Sequence, residues 1–126
     1  MSVTCQYCNN SATLVSGNVI YPHRKDLSHL RFWHCSDCDA YVGTHRNSKN
    51  NAPLGTLADA KLRKLRNLAH AAFDPIWKSG KLSRGKAYQS LGFHLGISDI
   101  GKHCHIAMFN EEQCKKVIEV SEKIGE

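Results

Sequence analysis

The chain has 126 residues, of which 41% are hydrophobic and 22% charged; this is the size and composition of one folded domain and excludes a large multidomain enzyme or a disordered chain. The formal net charge of +6 favours a polyanionic partner. No apolar run reaches the roughly 18 residues of a membrane helix and no signal peptide is evident, so we expect a soluble cytoplasmic protein that does not contact membranes.

Four of the six cysteines form two C-x2-C pairs, Cys5 with Cys8 and Cys35 with Cys38. In a reducing cytoplasm such pairs favour metal-bound thiolates over disulfides. Each pair can place two sulfurs on one ion at a tight turn, and four thiolates complete the tetrahedral shell that structural Zn²⁺ prefers. The spacing therefore predicts one structural zinc ion held by these four residues.

Short β-favouring segments surround the cysteine pairs. Thr13–Val15 and Asn18–Tyr21 suggest a hairpin with a glycine turn, and Leu30–His34 and Ala40–Gly43 flank the second pair. This order is typical of a zinc ribbon, and we predict a three-stranded one over residues 1–50. Because so small a lobe buries little apolar surface, the metal should contribute to its folding free energy.

After a polar loop over residues 44–55, the hydrophobic pattern changes to a helical period. Thr56 and Asp59 resemble a capping-box start, and Pro75 should end the helix. The pattern predicts an apolar stripe on one side and a polar, mainly basic face on the other. The apolar stripe comprises Leu62, Leu65, Leu68, Ala69, Ala72 and Phe73, and the polar face comprises Arg63, Arg66, Asn67, His70 and Asp74.

Two further helices are predicted towards the end of the chain. Ser83 offers an N-cap for a helix that Gly96 should end, and a last helix should open at Asn110 with Cys114 and Val117 on its inner face. The predicted fold is therefore α+β, a zinc ribbon followed by a mostly helical unit of three to four helices. We expect the helical domain to span residues 56–126 and to pack with the ribbon as one unit.

Four runs of the sequence, Cys35–His45, Pro53–Arg63, Ala69–Trp77 and Cys104–Cys114, are distinctive. With them the chain resembles a bacterial and phage family described only as a zinc-finger-containing domain of unknown function. The resemblance implies a metal-bearing N-terminal ribbon and a helical remainder. It also implies that the metal ligands are Cys5, Cys8, Cys35 and Cys38, and it supplies no reaction.

The basic charge is concentrated in residues 57–86, which carry eight basic and two acidic side chains. Cations projecting from a rigid helix suit phosphate contacts, and Phe32, Trp33 and Tyr41 of the ribbon could stack on unpaired bases. We therefore predict binding of nucleic acid, DNA or RNA, and the alternative is a solvated helix face with core aromatics. The predicted phosphate contacts are Lys61, Arg63, Lys64, Arg66, Lys78, Lys81, Arg84 and Lys86.

An enzyme is a further hypothesis, because His70 and Asp74 stand four residues apart on one helix, and His45 and His105 could approach from loops. Together with arginines, such a pair could act on a phosphodiester in a metal-dependent nuclease. The alternative is a hydrogen-bonded pair that anchors the helix. The sequence contains no complete catalytic motif, so binding is favoured over catalysis and no catalytic residue is assigned.

A second metal site is conceivable at His103, Cys104, His105 and Cys114, whose nitrogen and sulfur ligands suit zinc. Against it, Cys114 lies on the apolar stripe of the last helix, where a free cysteine behaves as a small hydrophobic residue.

The runner-up function is a bacterial or phage docking factor that binds or inhibits a host protein. Zinc ribbons serve as docking modules, and a chain of charge +6 could bind an acidic surface. Trp77, in the corner Asp74–Trp77, would be the aromatic anchor, although burial in the core is the alternative role of this side chain.

Overall fold

The computed structural model of the chain describes residues 2–100 and 104–124. The chain divides into two compact units, residues 1–60 and residues 61–126. The predicted packing of the ribbon and the helical part as one unit stays a prediction. No described helix is both long enough and apolar enough to cross a membrane.

The first unit contains a three-stranded antiparallel sheet, as predicted. Its strands are β1 (Thr13–Ser16), β2 (Arg31–Cys35) and β3 (Ala40–Gly43), and β2 lies in the middle. Trp33 pairs with Leu14 on one side and with Val42 on the other. The sheet therefore places the second cysteine pair at the turn between β2 and β3.

The predicted hairpin between Thr13–Val15 and Asn18–Tyr21 is wrong, because Gly17–Ile20 forms a short helix, α1, and β1 pairs with β2 instead. The reason is the packing of Gly17. Its N–H donates to the Leu30 carbonyl at 2.8 Å, and a Cβ at this position would collide with the Leu27 carbonyl. Only glycine fits this close approach, so the chain turns here and continues through the 3₁₀ helix Lys25–Leu27.

The core of the first unit is small and surrounds the cysteines. Leu57, which the sequence pattern assigned to the helix, is fully buried in this core. Ala58 and Tyr41 exchange backbone hydrogen bonds of 3.0 and 3.1 Å, so this segment is extended along β3. The predicted helix start at Thr56 is therefore wrong, and the helix begins at Ala60. The buried core residues are Cys5, Ala12, Trp33, Cys35, Ala40, Val42 and Leu57.

Helix α2 (Ala60–Lys78) belongs to the second unit from residue 61 onwards, and it continues through Pro75 rather than ending before it. Proline in a helix interior costs about 3 kcal/mol. Phe73 and Ile76 lie on either side of it and are both buried, and burying side chains of this size stabilises the helix by about 1.5–3 kcal/mol each. Pro75 itself is exposed, so it does not interrupt the apolar stripe. Burial of the stripe on both sides of Pro75 offsets the loss of the hydrogen bond that the proline cannot donate.

The next helix, α3 (Arg84–Leu95), has the predicted ends. Ser83 Oγ accepts a hydrogen bond from the Lys86 N–H at 3.2 Å, and Gly96 adopts a left-handed conformation with φ of 73°. Ala87 and Leu91 form its buried side.

The last helix, α4 (Glu111–Ile124), follows a 3₁₀ helix at Ile106–Met108. Asn110 and Gln113 form a reciprocal cap, with hydrogen bonds of 2.9 and 3.0 Å between each backbone N–H and the other side chain. The α4 helix packs against α3 through a face that includes the predicted Cys114 and Val117. The predicted α+β fold, a ribbon followed by helices, is confirmed.

Candidate metal centre and basic surface

The first cysteine pair lies in a turn closed by backbone hydrogen bonds. The Cys5 N–H donates to the Asn10 carbonyl and the Asn9 N–H donates to the Cys5 carbonyl, both at 2.9 Å. Asn9 has a φ of 63°, a left-handed conformation that asparagine tolerates better than most residues. The turn brings Cys5 and Cys8 to the same side, with Cys5 fully buried.

The second pair lies in the turn between β2 and β3. Cys35 is the last residue of β2 and pairs with Ala40, the first residue of β3. Asp39 completes the turn in a left-handed conformation with φ of 50°. The sheet register therefore fixes the position of Cys35, and the turn brings Cys38 back towards it.

The four sulfur atoms all lie within 4.8 Å of one another. The Sγ atoms of Cys8 and Cys35 are 3.7 Å apart. Zinc bonds sulfur at about 2.3 Å, which places two sulfurs of a tetrahedron about 3.8 Å apart. The residues therefore fit one zinc ion in number, chemistry and spacing.

The electrostatics of the cluster favour a cation. The Asn10 backbone N–H lowers the pKa of the Cys8 thiol. Hydrogen bonding with Cys8, together with burial, raises the pKa of the Cys38 thiol to about 12. The Cys38 thiol therefore resists ionising beside its neighbours, and a divalent cation would replace its proton on binding.

A four-thiolate site on a small antiparallel sheet defines the class of zinc-finger proteins. The chain belongs to a family described as a zinc-finger-containing domain, whose model matches residues 1–124. No curated protein and no solved structure matches the chain at a significant level. The predicted zinc-finger family and the predicted structural zinc ion are thus confirmed.

Two of the residues predicted to contact phosphate are less available to a ligand than the others, one because it is buried and one because it is ion-paired. Arg66 is only 8% exposed and donates from Nε to the Phe109 carbonyl at 3.1 Å, so its assignment to the solvent face is wrong. It occupies the buried stripe of α2, while Leu68, predicted to be apolar core, is 47% exposed. Lys61 is exposed but lies 3.3 Å from Glu111. Arg66 therefore leaves the candidate interface, and Lys61 is partly neutralised.

The ribbon aromatics predicted to stack on bases are part of the core. Trp33 is 7% exposed, and its Nε1 donates to the Asn51 carbonyl at 2.8 Å. Phe32 is 9% exposed and packs edge-on against Tyr21 and Tyr41, with ring centroids 5.8 Å apart in each pair. Neither Phe32 nor Trp33 therefore exposes a ring face on which a base could stack.

Exposed cations instead gather where α2 ends and α3 begins. The Arg84 guanidinium lies 4.8 Å from the Tyr88 ring centroid and 5.5 Å from that of Trp77, and the Lys78 ammonium lies 5.6 Å from the Trp77 ring. Lys81 and Lys86 are exposed beside them in the chain. On α2, Lys64 is exposed and Arg63 is half-buried.

Phe93 is a residue that the sequence interpretation missed. It is 81% exposed on α3 and seven residues after Lys86. Seven residues make almost two helical turns, so the two side chains share a face about 10 Å apart. The signal was available in the sequence, since Ala87 and Leu91 define a buried side of α3 that excludes position 93.

Two residues of the nuclease hypothesis, His70 and Asp74, are in contact within the second unit. His70 Nδ1 lies 3.1 Å from an Asp74 carboxylate oxygen, as expected for a pair four residues apart on α2. His105 is exposed next to the second 3₁₀ helix, and His45 lies in the first unit. The contact between His70 and Asp74 is therefore explained by a structural role, a hydrogen bond that anchors the helix.

The hypothesis of a second metal site gains no support. Among the described residues, the cluster of Cys5, Cys8, Cys35 and Cys38 is the one group suited to a metal, and His103 lies outside those residues. Burial raises the pKa of the Cys104 and Cys114 thiols. Both therefore favour the neutral thiol, which is a poor metal ligand.

Proposed function

We propose that the protein binds nucleic acid through a basic surface of the second unit, which we call the α2–α3 surface. It comprises the cations and exposed aromatic ring at the end of α2 and along α3. The observation that carries the proposal is the cluster of exposed cations around Trp77 and Tyr88. The residues of the α2–α3 surface are Lys78, Lys81, Arg84, Lys86 and Phe93.

Arg84 suits a phosphate contact because its guanidinium is held over two aromatic rings. The guanidinium has five N–H donors, and a hydrogen bond with the Tyr88 hydroxyl group uses only part of this set, so donors remain for a bidentate contact with phosphate oxygens. The rings also restrict the side chain before binding, which lowers the entropy lost on association.

Phe93 adds a site for an unpaired base next to the phosphate contacts. An aromatic ring that is 81% exposed can stack on a base of any identity, worth about 1–3 kcal/mol. Bases in a duplex are already stacked, so this contact favours single strands. The proposed ligand is therefore single-stranded DNA or RNA, bound mainly through phosphates and without base-specific hydrogen bonds.

The test is a salt titration of binding to single- and double-stranded oligonucleotides. Replacing both Lys81 and Lys86 with glutamine should lower the slope of log affinity against log salt by about 1.4 for single strands, since each lost phosphate contact contributes about 0.7. Phe93→Ala should weaken single-strand binding about tenfold and leave the salt slope and duplex binding unchanged.

The matched control replaces Lys115 and Lys116 with glutamine. These lysines are exposed on α4 in a surface that also contains Glu112 and Glu119, so the same loss of charge occurs at residues outside the α2–α3 surface. The control should retain the salt slope of the wild type. A wild-type slope near zero, or an equal fall for both double variants, would show that the α2–α3 surface does not bind phosphates.

A further inference from the structure

The first unit contains an open pocket of about 540 Å³ whose lining is basic. Arg31, Arg46, His29 and His45 contribute to it, together with the hydroxyl group of Ser48. No acidic residue is among the described residues that line it. This combination of donors without carboxylates is typical of a site for an anion.

The pocket lies at the end of the β2–β3 hairpin that is distant from the zinc site. Arg31 is the first residue of β2, whereas Cys35 is its last. The four steps along the strand from Arg31 to Cys35 span about 13 Å. Asp37 and Asp39 are in the turn at the zinc end, so the acidic side chains of the hairpin are separated from the pocket.

The loop that completes the pocket is held by hydrogen bonds to the ribbon. The Trp33 indole donates to the Asn51 carbonyl and the His45 N–H donates to the Ala52 carbonyl, both at 2.8 Å. Within the loop, Ser48 Oγ accepts from the Ala52 N–H at 3.0 Å. The loop is therefore fixed at both ends, and its basic side chains project from a defined backbone.

The two arginines of the pocket are not paired with carboxylates of the described residues. Arg31 and Arg46 form no ion pair with any described residue. Asp26 interacts with His29, and its carboxylate is already held by Arg24 at 2.8 Å. An anion entering the pocket would thus meet two unpaired guanidinium groups.

We propose that this pocket binds a phosphate group. The guanidinium forks of Arg31 and Arg46 match phosphate oxygens, and His29 and His45 add donors that strengthen when they are protonated. The phosphate could belong to the end of a nucleic acid or to a small phosphorylated molecule, which share this chemistry. The pocket lies in the first unit and does not depend on the α2–α3 surface.

The first test uses inorganic phosphate and the zinc-loaded full chain. Phosphate should shift the NMR signals of the His29 and His45 rings in a saturable manner, and chloride at equal ionic strength should not. Arg46→Gln should weaken phosphate binding about tenfold, because a hydrogen bond to a charged group is lost. Arg31→Gln should have a similar effect, and zinc content should be unchanged in both variants.

The matched control is Lys49→Gln, which removes the same charge from the same loop at a residue that does not line the pocket. It should change phosphate binding by less than about twofold, as expected for screening at an exposed position. Equal losses in Lys49→Gln and Arg46→Gln, or no saturable shift with phosphate, would overturn the proposal.

A second test distinguishes the source of the phosphate. Single-stranded oligonucleotides with a 5′-phosphate or a 5′-hydroxyl are compared in wild type and Arg46→Gln. A preference for the 5′-phosphate that Arg46→Gln abolishes supports a nucleic-acid end. Saturable binding of inorganic phosphate without such a preference supports a small phosphorylated ligand. Oligonucleotide binding that ignores Arg46→Gln, with no response to phosphate, removes the pocket and leaves the α2–α3 surface standing.

Discussion

The two compact units of the chain are stabilised in different ways. In the first unit the buried core is small, and two of its members, Cys5 and Cys35, are zinc ligands. In the second unit large apolar side chains such as Phe73, Phe109 and Leu91 are completely buried. One unit is therefore organised by a metal ion and the other by side-chain packing, so each should respond to a different perturbation.

Removal of zinc should give the largest difference between the units. Structural zinc in small domains contributes about 10–16 kcal/mol, more than the core of the first unit could replace. In a strong chelator, we expect the amides of β1–β3 to lose protection from hydrogen exchange, while those of α2–α4 keep it. Hydrogen exchange of the full chain measured by NMR checks this.

A matched pair of buried cysteines sharpens the same test. Cys35→Ser should abolish stoichiometric zinc binding, whereas Cys114→Ala in the second unit should retain one zinc per chain. Protected β-strand amides in the chelator, or full zinc content in Cys35→Ser, would contradict a metal-dependent first unit.

Truncating a core side chain of the second unit should destabilise that unit and leave the zinc-binding first unit unaffected. Phe73 is fully buried and packs against Tyr88 with ring centroids 4.8 Å apart. Phe73→Ala should cost the second unit about 3–5 kcal/mol, from lost burial and the cavity left behind. Urea denaturation followed by α-helical circular dichroism measures the loss. Zinc content should stay at the wild-type level, and a variant that lost its zinc would show that the units do not respond separately.

The smallest expected effect comes from the cap of α4. Asn110→Ala removes the acceptor of the Gln113 N–H, a hydrogen bond of 2.9 Å, and should cost about 1 kcal/mol. Asn110→Ser preserves a capping oxygen and should recover most of this free energy. Equal stability of the alanine and serine variants in urea would exclude a capping role for Asn110.

The sequence was sufficient for features that depend on neighbouring residues. The spacing of Cys5, Cys8, Cys35 and Cys38 identified the metal centre, since a C-x2-C turn positions its own two sulfurs. Ser83 and Gly96 identified the ends of α3 for the same reason, because caps are local hydrogen-bonding devices.

Features that depend on distant partners were not predictable in this way. Arg66 is buried because a carbonyl group 43 residues away accepts its hydrogen bond. Gly17 ends β1 because the Leu27 carbonyl leaves no space for a side chain. Hydrophobic periodicity cannot reveal either partner, so the solvent exposure of Arg66 and the first hairpin were predicted incorrectly.

The extended segment after the loop has a practical consequence for dissecting the molecule. Leu57 fills the ribbon core and Ala58 hydrogen-bonds to Tyr41, so the metal-bearing half reaches further along the chain than its last cysteine suggests. A fragment cut at residue 50 would leave a hole where the leucine belongs and an unpaired backbone edge along β3. Anyone isolating the ribbon should keep the chain through residue 60.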